Sequence, residues 1–383
     1  MILSKLFHIF FESEKTSGIL LILCTAISLL LANSAIGDSY TAIWLTQAGG
    51  HSITHWINDG LMAIFFLMIG LELEREIYYG ELSDLKNARL PIIAAIGGVI
   101  IPAGIYLFFN WGTPLQKGAG IPTATDIAFA IGVLSLLGKR VPASLKVFLT
   151  ALAVIDDLIA ILIIAVFYTD NILWGNLGIS LGILMVLFIL NRLKILNLIP
   201  YLIGGVIAWY FMLYSGVHAT IAGVLLAIVI PFGSGKSNSP SYILQHTLHK
   251  PVSFIIIPLF ALANTCILFQ PGWLSSFNSP ESWGIIGGLF IGKPLGIFLF
   301  SFIAVSAGMC SLPPRMKWKH VLGAGLLGGI GFTMSIFVTL LAFKDPVLIN
   351  TAKISVLVAS LLAGLSGFIW LNLLLKKNKK ANP

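Results

Sequence analysis

Two adjacent aspartates, Asp156 and Asp157, lie at the centre of an apolar stretch of the sequence, residues 143–168. If this stretch is a membrane-spanning helix, each carboxyl group is roughly 18 Å of helix from either end, because each residue adds about 1.5 Å of rise. Burial favours the protonated form of a carboxyl group, and a neighbouring carboxylate favours it further. Such a pair can carry either protons or a hard cation, for which oxygen is the preferred ligand. The alternative is a structural acid pair neutralised by other hydrogen-bond donors.

Lys293, in the sequence FIGKPLG, lies at the centre of a second apolar stretch, 283–307. To reach water, its side chain would have to extend over more than about 10 Å along the helix. We therefore interpret Lys293 as an internal counter-charge, with one of the two aspartates as its expected partner. The alternative is that the ammonium group snorkels to the membrane surface.

Two further apolar stretches contain residues that interrupt helices. The first reads GIPTATDIAFAIG, with Thr125 and Asp126 after a proline, and the second reads LGAGLLGGIGFTMS, with Gly331 at the end of a glycine cluster. Interrupted spans in corresponding halves of a membrane protein are typical of transport sites. Half-helix ends inside a membrane expose partial charges, positive at N-termini and negative at C-termini. Asp126 is suited to neutralise the former, and Lys293 the latter.

The order of these features is reversed between the two halves of the chain. An interrupted stretch precedes the aspartate pair, whereas the stretch with Lys293 precedes the other interrupted one. This order is expected of inverted repeats.

The elements that position these residues are predicted to be transmembrane helices. Of the 383 residues, 57% are hydrophobic and 10% are charged, against about 25% charged in soluble domains, which argues against a water-soluble fold. A spanning helix needs about 20 mainly apolar residues. Stretches of this kind are 17–34, 57–79, 90–109, 117–138, 143–168, 173–190, 196–213, 216–231, 247–269, 283–307, 319–343 and 350–375. We predict an all-α fold of about twelve transmembrane helices, with residues 1–383 forming one integral membrane domain.

Positive charge is distributed unevenly between the predicted loops. If the N-terminus is cytoplasmic, most of the 23 Lys and Arg residues fall in predicted cytoplasmic segments, as the positive-inside rule requires. This predicts that both termini are cytoplasmic. It also explains the net charge of +8 without a nucleic-acid partner. The C-terminal KKNKK run is expected to contact anionic membrane lipids.

The longest predicted external loop, 34–56, includes nearly all of the segment TAIWLTQAGGHSITHWI. Apolar and polar residues alternate there on both sides of Gly49 and Gly50. This pattern predicts a β-hairpin. Because an isolated two-stranded hairpin is marginal in water, we expect it to pair with another element. An irregular loop is the alternative.

These segments resemble the NhaA family of sodium/proton antiporters, which are built from inverted repeats. The similarity extends over nearly the whole chain. The matching segments are IGLELERE around Glu72, GIPTATDIAFAIGVL around Asp126, LTALAVIDDLIAILIIA around Asp157, SGVHATIAGV around His218, IGKPLGIF around Lys293 and LLGGIGFTMSIF around Gly331. The resemblance implies an electrogenic, pH-dependent antiporter of the bacterial inner membrane. It would exchange Na+ or Li+ for H+ by alternating access and would need no cofactor.

The resemblance also implies roles for the residues of the site. Asp157 is expected to be the main cation ligand, whereas Asp156 is expected to pair with Lys293 and to exchange protons. Thr125 and Asp126 then belong to two crossed, interrupted helices beside the site.

Further residues would be secondary or regulatory. The resemblance places Glu72, Arg75 and Glu76 in a pH-responsive cluster. The sequence pattern by itself indicates only an ordinary charged end of a helix. Asp59 and His218 are expected to make local structural or gating contacts.

Family members also dimerise through a hairpin in the first external loop, which implies a homodimer here. The resemblance is weakest in the segment SPSYILQHTLHKP. Members typically carry a glutamate where this chain has Gln245, and basic residues where it has Tyr242 and Ile243. The ionisable residues that remain there are His246, His249 and Lys250. The family's pH response is therefore expected to be weaker in this chain.

Three other functions use some of the same features. An intramembrane aspartyl protease needs aspartates on separate helices and usually a GxGD signature, which this sequence lacks, so we do not expect an enzyme. A sodium-coupled symporter would need a pocket for an organic substrate, for which the sequence offers no candidate. A cation channel would need neither a proton-linked acid pair nor a buried lysine.

Overall fold

The computed structural model describes residues 2–169, 172–233, 238–269 and 277–380. In these ranges the chain is mostly helical, with one pair of short strands. The elements are α1 (Ile2–Ala32), α2 (Gly37–Leu45), β1 (Gln47–Ala48), β2 (His51–Ser52), α3 (Ile53–Tyr79), α4 (Leu85–Asn110), α5 (Ile127–Leu136), α6 (Ala143–Phe167), α7 (Trp174–Arg192), α8 (Leu198–Leu213), α9 (Thr220–Val229), α10 (Pro240–Asn264), α11 (Pro280–Ser306), α12 (Trp318–Gly328), α13 (Phe332–Ala342) and α14 (Pro346–Lys380).

Several segments have 3-10 or π-helical geometry and not that of an α-helix. The 3-10 helices are Glu81–Ser83, Pro114–Thr123 and Gly138–Arg140. The π-helical segments are Trp56–Leu61 in α3, Val252–Ile256 in α10 and Gly287–Gly292 in α11.

The apolar helices agree with the predicted membrane protein. By length and composition, eight helical segments of the described ranges can cross a membrane, and two bent helix pairs can each add one more. The shorter apolar helices α8 and α9 account for two further stretches. Each predicted stretch therefore falls on a helix, and the prediction of an all-α, multi-pass fold is confirmed.

By its internal contacts the chain divides into two compact units. The first comprises Met1–Leu29, Asp84–Ala160 and Ile267–Pro383, and the second comprises Leu30–Ser83 and Ile161–Cys266. The first unit contains both interrupted stretches, the two aspartates and Lys293. The single domain that we predicted over 1–383 stays a prediction.

In the first unit, α4 and α11 pack against each other along a row of glycines. A Cβ atom at Gly296 would lie 2.1 Å from the carbonyl oxygen of Gly97, and a Cβ atom at Gly292 would lie 3.0 Å from Cα of Pro102. Small residues at such spacing let two membrane helices bring their backbones together, which increases van der Waals contact. This packing fixes the part of α11 that carries Lys293.

Alanine at Gly296 is therefore expected to destabilise the protein. The added methyl group would meet a backbone oxygen, which no side-chain rotation can move aside, and overpacking of this kind costs about 1–3 kcal/mol. The matched control is Gly104→Ala on α4, where a Cβ atom would meet nothing within 4 Å. Thermal melting of both variants in detergent tests the expectation. Equal melting temperatures for the two variants would contradict it.

In the second unit, α3 packs against α9 in the same manner. A Cβ atom at Gly223 would lie 2.1 Å from the carbonyl oxygen of Ala63, and one at Gly70 would lie 2.5 Å from Cβ of Ala227. A buried apolar cluster around Tyr201 joins these two helices to α7, α8 and α10. This unit therefore has a hydrophobic core of its own.

The predicted hairpin is present but shorter than the alternating pattern suggested. Gln47 pairs with Ser52 and Ala48 pairs with His51 in an antiparallel ladder. Gly49 and Gly50 form the turn with φ of +62° and +88°, a conformation that favours glycine. The prediction of a small hairpin is confirmed, and its strands end within the alternating segment because α2 occupies the residues before the hairpin and α3 begins directly after it.

Candidate functional site

The two interrupted stretches meet each other inside the first unit. The 3-10 helix Pro114–Thr123 and α5 are separated by a short extended segment, and α12 and α13 are bent by 48° at their break. The backbone N–H of Asp126 donates to the carbonyl oxygen of Ile330 at 2.7 Å, and Ser335 Oγ donates to the carbonyl oxygen of Ile121 at 2.7 Å. Hydrogen bonds thus join the two breaks, and the predicted interruptions are confirmed.

Asp126 caps two half-helices with one carboxylate. Its Oδ1 accepts a hydrogen bond from the backbone N–H of Phe129 at 2.9 Å, in the first turn of α5. Its Oδ2 accepts hydrogen bonds from the backbone N–H of Thr333 at 3.1 Å and from the Thr333 hydroxyl, at the start of α13. A negative group is favourable at a helix N-terminus, where unpaired N–H groups carry partial positive charge. Asp126 therefore stabilises the meeting point of the two breaks.

The ammonium group of Lys293 lies at a helix C-terminus, whereas Asp126 lies at helix N-termini. Its Nζ lies 2.8 Å from Oδ2 of Asp156, and both side chains are completely buried. Nζ also donates to the backbone carbonyl of Thr123, the last residue of the 3-10 helix, where partial negative charge collects. The two residues that the resemblance pairs are therefore at ion-pair distance.

The local structure of α11 explains how Lys293 is placed. Its backbone N–H bonds to Gly288, five residues earlier, and closes the π-helical segment Gly287–Gly292. Pro294, which follows, has no N–H to bond to the preceding turn. Wider turns of this type are frequent at functional sites. The glycines of this segment also allow the close approach of α4 described above.

Thr125 connects Asp156 to the second break. Its hydroxyl lies 2.7 Å from Oδ2 of Asp156 and 2.9 Å from the carbonyl oxygen of Gly328. One hydroxyl proton cannot be donated fully to both oxygens. In the described part of the chain, the other oxygen of Asp156, Oδ1, is buried and accepts no hydrogen bond. This orphaned oxygen leaves Asp156 able to bind a proton or a cation, because an unpaired buried acceptor is costly.

Asp157 follows Asp156 on α6 and is equally buried, with 1% of its surface exposed. Successive helix residues point about 100° apart, so the two carboxyl groups face different neighbours. Oxygen ligands suited to a hard cation are therefore concentrated on one turn of α6 and on Thr125. In the described ranges, no group of three or more His, Cys, Asp or Glu side chains is arranged to hold a metal ion. A cation here would thus need hydroxyl or backbone oxygens as additional ligands.

The predicted pH-responsive residues lie in the second unit. Glu72, Arg75 and Glu76 share the last two turns of α3, and Oε2 of Glu76 accepts a hydrogen bond from the backbone N–H of Glu81 at 3.0 Å. His246 is on α10, with its ring stacked on that of Tyr242 at a centroid distance of 6.1 Å. Glu76 and His246 both contact residues close to them in the sequence, and their role in a pH response stays a prediction.

The secondary residues Asp59 and His218 also make local contacts. Oδ2 of Asp59 lies 3.2 Å from Nδ1 of His55, and its backbone carbonyl accepts a hydrogen bond from the Trp209 indole at 2.9 Å. His218 Nε2 lies 2.7 Å from the carbonyl oxygen of Tyr168. These contacts fit a structural part for both residues.

Gly331 precedes α13 within the second break. A Cβ atom there would lie 2.1 Å from Oγ of Ser335 and 2.9 Å from Leu289. Sequence reasoning did not identify Thr333 or the Gly328 carbonyl as part of the site. The only available signal for Thr333 was its place in the motif GIGFTMS, directly after the glycine cluster.

Comparison with known proteins gives one consistent result. The family described as "Na+/H+ antiporter 1" matches residues 8–371. The chain is 65% identical over 379 residues to a Flavobacterium johnsoniae protein named Na(+)/H(+) antiporter NhaA 1, covering 99% of this chain and 100% of that protein. It is 64% identical to a Flavobacterium psychrophilum protein named Na(+)/H(+) antiporter NhaA, with 98% of each chain covered.

A solved structure supports the fold. The sodium proton antiporter MjNhaP1 from Methanocaldococcus jannaschii at pH 8 matches with a TM-score of 0.57 and 16% sequence identity, covering 98% of this chain and 99% of that one. At this identity the match concerns the architecture alone. The family match over residues 8–371 and the relatives, each matched over 98% or more of its length, concern the family. The chain therefore belongs to the NhaA family of Na+/H+ antiporters.

Proposed function

We propose that this protein exchanges Na+ or Li+ for H+ across the bacterial inner membrane, with both termini in the cytoplasm. The observation that carries the proposal is the buried cluster of Asp156, Lys293 and Thr125 at the meeting point of the two breaks. It combines a titratable carboxylate, a counter-charge and oxygen ligands in a region away from water. Alternating exposure of this cluster to the two sides of the membrane would turn ion binding into exchange.

In the proposed mechanism, cation and protons compete for the same carboxylates. Asp157 is the main cation ligand, and Asp156 and Thr125 contribute further oxygens. When the cation leaves, both aspartates take up protons, so two protons move against one monovalent cation. Net charge then crosses the membrane in each cycle, and exchange is electrogenic.

Thr125 offers a local means of responding to protonation. When Asp156 is ionised, the Thr125 hydroxyl can donate to Oδ2 of Asp156 and the Gly328 carbonyl is left with the weaker interaction. When Asp156 holds a proton, it can donate to Thr125, which then donates to Gly328. Protonation would therefore change the hydrogen bond between the two breaks.

Proteoliposomes that contain a pH-sensitive dye test this proposal. Addition of sodium or lithium should drive proton flux, whereas potassium should not. A potassium–valinomycin potential, negative on the cytoplasmic side, should increase sodium export if two protons are exchanged. Exchange that ignores the imposed potential would contradict two-proton coupling. Sodium uptake without proton movement would instead favour the alternatives, a sodium-coupled symporter or a cation channel.

The competition between sodium and protons predicts a pH dependence. Raising the pH removes the proton that competes with sodium at Asp157, so the apparent Km for sodium should fall by up to about tenfold per pH unit, the limit for one proton at one site. The maximal rate should change little, because Gln245, Tyr242 and Ile243 replace the residues that the family uses for a pH response. The measurement is sodium titration of exchange at several symmetrical pH values, between about 6.5 and 8.5.

A flat Km combined with a steeply pH-dependent maximal rate would contradict this expectation. It would show that a separate pH-responsive cluster operates. Glu72, Arg75, Glu76 and His246 would then be the first residues to replace.

We also propose that two copies of the chain associate through the hairpin at Gly49 and Gly50. The strand residues Gln47 and Ala48 are exposed and His51 and Ser52 are half-buried, and the edges of a two-stranded hairpin can pair with another chain. Surrounding membrane lipids would be the other partners, and the protein would need no cofactor beyond the transported ions Na+, Li+ and H+.

A further inference from the structure

A second buried carboxyl group lies in the first unit, away from the aspartate pair. Glu281 is the second residue of α11, and only 1% of its surface is exposed. It precedes Lys293 on the same helix by about 18 Å of helical rise. The proposed exchange mechanism does not use it, so its burial needs another explanation.

Asn110 is packed against the same turn of α11. Its side-chain nitrogen donates to the carbonyl oxygen of Pro280 at 3.0 Å and to that of Tyr106 at 2.9 Å. A Cβ atom at Gly284 would lie 2.8 Å from this nitrogen. The Asn110 amide is therefore held between Pro280 and Gly284, on the turn that begins with Glu281.

Two buried oxygens at this place lack a hydrogen-bond donor. Among the residues that the structure describes, which exclude 270–276, Oε1 of Glu281 and Oδ1 of Asn110 accept no hydrogen bond. Asn110 is completely buried. Both atoms are acceptors, so neither can satisfy the other while Glu281 is ionised. Each unsatisfied acceptor is costly, and an unpaired buried charge is more so.

Serine hydroxyls and a second acid lie on the elements packed around the first turn of α11. Ser279 Oγ and Ser355 Oγ lie 3.0 Å and 2.8 Å from Ser282 Oγ. Asp345 caps the first turn of α14, which packs on this part of α11. Within the described ranges, Glu281 forms no ion pair with a basic side chain. Oxygen donors of this kind, with excess negative charge, suit a hard cation.

We propose that Glu281 and Asn110 form part of a second site for a monovalent cation, Na+ or Li+, at the end of α11 that is predicted to face outward. A cation bound beside Glu281 would neutralise the buried carboxylate, and the Asn110 amide oxygen is a second unpartnered acceptor packed on the same turn. It would also fasten the start of the helix that carries Lys293 to α4. The site goes beyond the proposed exchange, which does not require it.

The test separates this site from the aspartate pair. The Asp157→Asn variant lacks the proposed main cation ligand. Its melting temperature in detergent, measured in sodium or lithium chloride against choline chloride at equal ionic strength, should still rise by about 2 °C when the cation is at ten times its Kd. Adding Glu281→Gln should abolish that rise. Adding Asp38→Asn, which removes an exposed acid elsewhere, should leave it intact.

Two outcomes overturn the proposal. The first is a sodium-dependent rise in melting temperature that persists when Glu281→Gln is added to Asp157→Asn. The second is the absence of any such rise in Asp157→Asn alone, which would show that Glu281 holds only a proton. If the double variant does not fold, Glu281→Asp replaces Glu281→Gln. A weaker response than in Asp157→Asn then supports the site, and an equal one overturns it. Failure of exchange by the unaltered protein would reject the proposed function without affecting this result.

Discussion

Asp157→Asn is expected to abolish sodium-dependent proton flux while leaving the protein folded. The amide keeps the shape of the side chain but loses both the charge that binds the cation and the site that carries a proton. Asp157 is not the aspartate that pairs with Lys293, so the substitution leaves that ion pair in place. The measurement is the pH-dye signal in proteoliposomes on addition of sodium, together with the melting temperature in detergent.

Two comparisons make this prediction specific. Asp38→Asn, on an exposed acid of α2, should transport like the unaltered protein. Asp156→Asn should also lose transport, and it should lower the melting temperature as well, because it leaves Lys293 buried beside an amide. Near-normal turnover of Asp157→Asn would exclude Asp157 as the main ligand.

The burial of the charged residues was predictable, because the place of a residue within an apolar stretch gives its depth in the membrane. Asp156, Asp157 and Lys293 each lie near the middle of an apolar stretch, where an ionisable side chain must find a partner. The interruptions were predictable for a related reason, since proline and clustered glycines do not continue a helix in hydrocarbon unless another element satisfies the backbone. Both inferences depend only on local sequence.

Other features depend on contacts between distant segments and were not predictable. The first half of the interrupted stretch before Asp126 is a 3-10 helix, which single-sequence patterns do not distinguish from an α-helix. The dual cap by Asp126 requires Thr333, more than two hundred positions away. The strands are shorter than the alternating segment 41–57 because the helices α2 and α3 include most of its residues, and local strand patterns yield to packing against other elements.

The burial of Glu281 was not predicted, because of its position in the sequence. It lies at the end of an apolar stretch, where an acid is expected to face water and the helix N-terminus. The packing of α4 and α14 against the first turn of α11 encloses it. End positions of spans are thus less informative than central ones, because their depth depends on neighbouring helices.

Lys293→Ala is expected to give the largest loss of stability of any single substitution considered. It removes the partner of Asp156 at a place where both side chains are completely buried, and breaking a buried pair from one side costs about 3–5 kcal/mol. It also removes the donor to the Thr123 carbonyl at the end of the 3-10 helix. Lys293→Arg keeps the charge and should retain much of both stability and activity.

A double-mutant cycle distinguishes electrostatics from lost packing. If the penalty of Lys293→Ala comes from an uncompensated carboxylate, then adding Asp156→Asn should restore part of the melting temperature, since neither charge remains. If it comes from the cavity left by the lysine side chain, the two losses should add. Lys139→Ala, on an exposed lysine, is the control for removing a positive charge. Melting of Lys293→Ala at the temperature of this control would show that the buried pair does not stabilise the fold, as expected if Asp156 takes up a proton when Lys293 is absent.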